Sequence, residues 1–141
     1  MGAAAGHLVA NEAGFRIATV AVLEAWVLAT TYGFTSGDDA RRLVATLDRC
    51  MAASAKGHLI VDSREHGVTC RAANEAMWNW VEESSHLESM SIINKSQNIA
   101  LAIRMKNLSS KARKVRPFSS LSGAETWVRK AQRSPPSRTG R

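Results

Sequence analysis

Apolar positions alternate with polar ones early in the chain and recur every three to four residues further on. Phe15, Ile17, Thr19 and Ala21 alternate with Arg16, Ala18 and Val20, which predicts a strand; the run His7–Asn11 before it is separated by a turn at Ala13-Gly14. A third run, Ala25 to Tyr32, is rich in β-formers, stops at Gly33 and reads as strand too.

The period then changes. Ser36 is the expected N-cap of a helix, with Asp38 and Asp39 suited to its positive end and Asp39 at capping-box spacing. Leu43, Val44, Leu47 and Met51 give that helix a buried face, with Arg41, Arg42, Asp48 and Arg49 on the wet side and Gly57 closing the region. His58–Asp62 is a short apolar run that fits a strand buried on both faces. Beyond the loop Ser63–Val68, Thr69 is the expected N-cap of a second helix with Ala73, Ala76, Met77, Trp80 and Val81 on its apolar side. Met90–Asn94 reads as strand. Ile99–Met105 alternates like a strand but is built of helix formers, and its place after a strand and a polar cluster makes it a helix. Arg116–Phe118 is a short extended piece, and Ser119–Gln132 a last helix with Leu121, Ala124, Trp127, Val128 and Ala131 at helical spacing. Strands alternating with helices predict a single α/β domain, a central mixed sheet with crossover helices, over residues 1–131; residues 132–141 are expected to be a disordered basic tail.

Composition adds a compartment and an asymmetry. An apolar fraction of 45% suits a globular chain, and two cysteines, Cys50 and Cys70, make no disulfide framework. The first residues lack a basic n-region and a long apolar h-region, and Ile17–Thr30 is too short to span a bilayer, so the expectation is cytoplasmic. Residues 1–103 carry 8 Lys/Arg against 11 Asp/Glu, whereas residues 104–141 carry 11 Lys/Arg against Glu125 alone. The basicity belongs to one end.

Candidate chemistry clusters at the strand-end loop: Asp62, Ser63 and His66, then Thr69, Cys70 and Arg71. Such loops bind ligands and partners in open α/β sheets. A Ser-His-Asp reading needs a base in reach of the hydroxyl and an oxyanion hole, and no Gly-x-Ser-x-Gly elbow is present. Turn formation, partner contact and catalysis stand as alternatives there, and no catalytic residue is assigned. Cys70 lies near a helix start, where the dipole lowers a thiol pKa, though a buried inert cysteine is the commoner case, and Cys50 fits the core. His7, His58, His66 and His86 have no metal-ligand spacing, so neither a metal nor a cofactor is expected. Trp80 and Trp127 fall on apolar faces. Trp78 lies off the face and is either an interface anchor or buried at a helix edge. Arg104, Lys106, Lys111, Arg113, Lys114 and Arg116 are candidate anion-binding residues for an anionic lipid or phosphate, with a solvated face as the bland alternative. No aromatic residue interleaves with them and no nucleic-acid motif appears, so sequence-specific nucleic-acid binding is not expected.

Over roughly residues 7–131 the chain resembles STAS-type domains, the fold of bacterial anti-anti-sigma factors and their SpoIIAA-like relatives. The resemblance is carried by the opening strands, the Thr35-Ser36-Gly37-Asp38-Asp39-Ala40 helix entry, Gly57-His58-Leu59-Ile60-Val61-Asp62, the helix starting near Thr69, and the ending Phe118-Ser119-Ser120-Leu121 to Ala124-Glu125-Thr126-Trp127. It implies a non-enzymatic regulatory module that binds another protein through the loop and helix start near residues 63–71. Signalling members carry a phosphorylated serine in an Asp-Ser-Ser-Gly-type turn; here the stretch reads Val68-Thr69-Cys70-Arg71-Ala72, with Thr69 the nearby hydroxyl. The group is also related in fold to CRAL-TRIO lipid-binding domains, which implies the alternative: a small-ligand or lipid-binding domain with a basic C-terminal anchor. A homodimer through a sheet edge or Trp78 is a further expectation.

Overall fold

A computed structural model describes residues 5–133 other than Val68 and Ala112; the tail expected over residues 132–141 therefore lies outside it from residue 134 onward. The elements are β1 (Ala5–Ala10), β2 (Arg16–Val22), β3 (Val27–Thr31), α1 (Gly37–Ser54), β4 (His58–Asp62), α2 (Arg71–Glu83), β5 (Ser89–Ile93), α3 (Gln97–Ser109), β6 (Val115–Phe118) and α4 (Leu121–Arg133). They form the α/β domain the sequence predicts. The six strands lie in one sheet in chain order, β1-β2-β3-β4-β5-β6. β1–β2 and β2–β3 pair antiparallel, and β3 to β6 pair parallel. Pro117 sits in β6, an edge strand, where a missing N–H is tolerated.

Each parallel step moves one strand over in the same direction, so right-handed crossovers put α1, α2 and α3 on one face. The larger core joins Leu43, Leu47 and Met51 of α1, Val81 and Trp80 of α2 and Ile103 of α3 to Val20, Ala29, Leu59 and Met90 of the sheet. α4 covers the other face over β4–β6, where Ile60, Ile93 and Trp26 meet Ala124 and Val128. Leu59 and Val61 thus point one way and Ile60 the other, so β4 is buried on both faces, as its unbroken apolar run requires.

Local chemistry departs from expectation in four places. Ser36 does cap α1, its Oγ accepting from the Asp39 N–H at 3.3 Å, but the Asp39 carboxylate accepts from Thr35, N–H at 2.8 Å and Oγ1–H at 3.1 Å, one residue before the cap. α1 ends not at Gly57 but at Ala55, whose φ of 58° is left-handed. Asp48, expected on the wet side, is half-buried and accepts from the buried Trp80 Nε1–H at 2.8 Å. Cys70, not Thr69, caps α2; its Sγ accepts from the Ala73 N–H at 3.4 Å, while Thr69 bridges to Phe34. No described helix is long and apolar enough to cross a membrane.

Candidate functional site

α2 and α3 both leave the same edge of the sheet, after β4 and β5, and run in the same direction. Their far ends are tied together: Ser110 Oγ–H donates to Glu82 at 2.5 Å, the Lys111 N–H donates to the same carboxylate at 3.3 Å, and Lys114 Nζ donates to the Ser84 carbonyl at 3.0 Å. Nearer their starts, a cleft of about 360 Å³ separates them. Val61, Met90 and Ile92 form its floor, Met77 and Trp78 of α2 one wall, and Ile99 and Ile103 of α3 the other. Across its outer side the Lys106 ammonium lies 5.9 Å from the Trp78 ring centroid.

The mouth is polar and built by the loop after β4. The backbone pins that loop to its neighbours: Ser63 N–H donates to the Ile93 carbonyl at 3.0 Å, Gly67 N–H to Tyr32 at 2.9 Å and Cys70 N–H to Phe34 at 3.1 Å. His66 then stands edge-on to Phe34, ring centroids 4.9 Å apart. Its Nδ1 hydrogen-bonds Thr31 Oγ1 at 2.9 Å and its Nε2 meets Thr69 Oγ1, so the imidazole lies between two hydroxyls. Ser63 Oγ–H donates to the Ile93 carbonyl at 2.8 Å and accepts from Asn94 Nδ2–H at 3.2 Å. Thr31, Ser63, His66, Thr69, Asn74 and Asn94 thus bring hydrogen-bonding groups to an otherwise apolar space, the arrangement of a small-molecule site. Among the described residues no Lys, Arg, Asp or Glu lines it.

The Ser-His-Asp reading does not assemble. Asp62 turns to the α4 side of β4 and pairs with Arg64, 2.7 Å between Arg64 Nη2 and Asp62 Oδ2, and the bonded guanidinium holds its carboxyl below the usual range. The Ser63 proton is committed to a carbonyl rather than to His66. Among the described residues, no three or more His, Cys, Asp or Glu side chains gather as metal ligands would.

Of the expected partner-contact residues, Ser63, Thr69 and Trp78 line the cleft, whereas Asp62, Cys70 and Arg71 do not. Arg71 is exposed and pairs with Glu75 at 3.1 Å. Cys70 is half-buried, and Cys50 is fully buried with its thiol pKa pushed up by burial. Arg104, Lys106, Lys111, Arg113 and Arg116 are exposed around α3 and β6, with the Arg116 guanidinium 4.8 Å over Trp127. Sequence reasoning missed the cleft's apolar lining, since Val61, Met90 and Ile92 look the same in sequence whether they meet a packed helix or an empty space. Thr31 and Asn94 carried no signal either.

No family model matches the chain, and no curated relative does. The fold does have a match among solved structures. The crystal structure of an uncharacterised protein of the DUF3478 family with a SpoIIAA-like fold, from Shewanella loihica PV-4, superposes with a TM-score of 0.63 at 13% identity, covering 79% of this chain and 93% of that one. The chain therefore has a SpoIIAA-like fold.

Proposed function

We propose that this chain is a non-enzymatic binding domain that holds a small, largely apolar molecule in the α2–α3 cleft. The observation that carries this reading is the cleft itself: apolar floor and walls, a mouth of hydrogen-bonding groups, and no Lys, Arg, Asp or Glu on its described lining. A ligand carrying a carboxylate or ammonium into that space would lose hydration with no Lys, Arg, Asp or Glu on the described lining to pair with, so the fitting class is an apolar body with a hydroxyl or carbonyl end at His66, Thr69 and Asn94. The unpaired cysteines suit a reducing, cytoplasmic setting. A second reading, regulation of a protein partner through residues 63–71, is supported by the exposure of Thr69 at the mouth and of Arg71 beside it, outside the cleft; such a partner would sense whether the cleft is filled.

The test is titration with N-phenyl-1-naphthylamine, a neutral apolar fluorophore that brightens when it leaves water. Saturable binding is expected, lost on Met77→Trp, which fills the cleft, and kept on Arg71→Ala, which lies outside it. Binding that survives Met77→Trp in a folded variant would place the fluorophore elsewhere and defeat the reading.

A further inference from the structure

α3 is apolar on two sides. One side carries Ile103 into the core and Ile99 to the cleft. The opposite side carries Leu101, Met105 and Leu108, an i, i+4, i+7 stripe that stays 55%, 62% and 67% exposed. Three large side chains in line on one helix form a patch that a water-facing surface does not need.

Charge decides what covers it. Between Glu88 and Glu125 the chain carries seven lysines and arginines and no acid. Lys95, Arg104, Lys106, Lys111 and Arg113 are exposed on α3 and at its two ends. The nearby acid on α2, Glu82, is engaged by Ser110 and Lys111 at the helix end. A second copy laid stripe to stripe would bring two cationic collars together, which opposes that dimer. A nucleic acid would use the cations but leave the stripe wet. An anionic bilayer surface answers both features: headgroup charge for the collar, and the acyl-chain boundary for Leu101, Met105 and Leu108.

We propose that α3 is a membrane-docking helix that lies in the plane of an anionic lipid surface with this stripe inserted. The stripe does not line the cleft, so the docking stands independently of what the cleft holds.

Co-sedimentation of the full chain with vesicles of equimolar phosphatidylglycerol and phosphatidylcholine tests it. At low salt the chain is expected to pellet with these vesicles and not with pure phosphatidylcholine. The triple variant Leu101→Ser, Met105→Ser, Leu108→Ser keeps every charge, and is expected to bind about tenfold or more weakly. Arg104→Gln with Lys111→Gln should weaken binding and flatten its salt dependence. These positions are exposed, and unchanged circular dichroism together with unchanged N-phenyl-1-naphthylamine affinity would show that fold and cleft are intact. No pelleting at low salt, equal pelleting with pure phosphatidylcholine, or wild-type binding by the triple serine variant would each overturn the proposal. So would a dimer in gel filtration that the triple variant abolishes, since the occupant would then be a second copy.

Discussion

Ile103→Ala should loosen α3 while leaving the sheet beneath it intact. Among the described large apolar side chains of α3, Ile103 alone is buried, at 7% exposure, against 45% for Ile99. Burying one such side chain contributes about 1.5–3 kcal/mol, and a helix of 13 residues is marginal by itself. The ties from Asn107 Oδ1 to the Val115 N–H at 3.0 Å and from Ser110 to Glu82 add about 1 kcal/mol each. Local opening of α3 therefore costs roughly 3–5 kcal/mol, below the ~7–14 kcal/mol expected for unfolding a chain of this length. Because Ile103 borders an open cleft, its truncation leaves no closed void, and the loss falls near the low end of core truncations, about 2 kcal/mol. Hydrogen exchange read by mass spectrometry should show amides of Gln97–Ser109 less protected than those of Leu59–Val61 in β4 to begin with, and exchanging about 30-fold faster in the variant, since every opening that exposes Ile103 becomes easier by that amount. Equal protection of α3 and β4 in the unsubstituted chain would mean that α3 opens only with the whole domain, and would refute the reasoning.

Three further substitutions probe the frame of the site. Asp48→Ala leaves the buried Trp80 Nε1–H without its acceptor and should cost about 1–3 kcal/mol by urea unfolding, with Asp48→Asn recovering most of it. Ser91 Oγ is buried without a hydrogen-bond partner among the described residues, so Ser91→Ala should be neutral or raise stability to urea by up to about 1 kcal/mol; a clear loss would show the hydroxyl is satisfied. Arg64 lowers the Asp62 pKa below its ordinary 3.8, so the pair's contribution is complete above that value and is lost as pH falls through the depressed one. Arg64→Ala should therefore lower the thermal midpoint slightly at neutral pH and match the wild type in acid, and a gap that persists in acid would show that charge is not the cause.

The elements were legible because each carries its own periodic signal. β4 reads as unbroken apolar residues since helices cover both its faces, and α1 reads as a one-sided stripe since solvent covers its other side. α3 is the instructive exception. Ile99, Leu101, Ile103 and Met105 alternate as a strand would, yet they form a helix, because an apolar face toward the core and another toward the outside together imitate a period of two. What confused the sequence pattern is the feature that sets this helix apart. The N-cap of α1 was legible at Ser36, but Asp39 reaches back one residue further, to Thr35, and the cap of α2 falls one residue later than Thr69, since Thr69-Cys70 offers adjacent candidates and the loop's hydrogen bonds choose between them. The cleft was not legible: an empty space between two helices leaves no mark on the residues that border it, and only the position of the polar mouth at a strand-end loop could be anticipated.

The sheet's plain strand order has a consequence for how the molecule is made. Since each strand pairs with its neighbours in sequence, a chain emerging from the ribosome can lay β2 on β1, β3 on β2, and so on, with every new strand meeting an edge already formed. The helix after each parallel strand closes the larger core as growth proceeds. The smaller core waits: Trp26, Ile60 and Ile93 are all synthesised early, yet stay bare until α4, the final described element, folds back over them. Until α4 is made the nascent domain is therefore a one-sided sheet, with a finished face and an adhesive one.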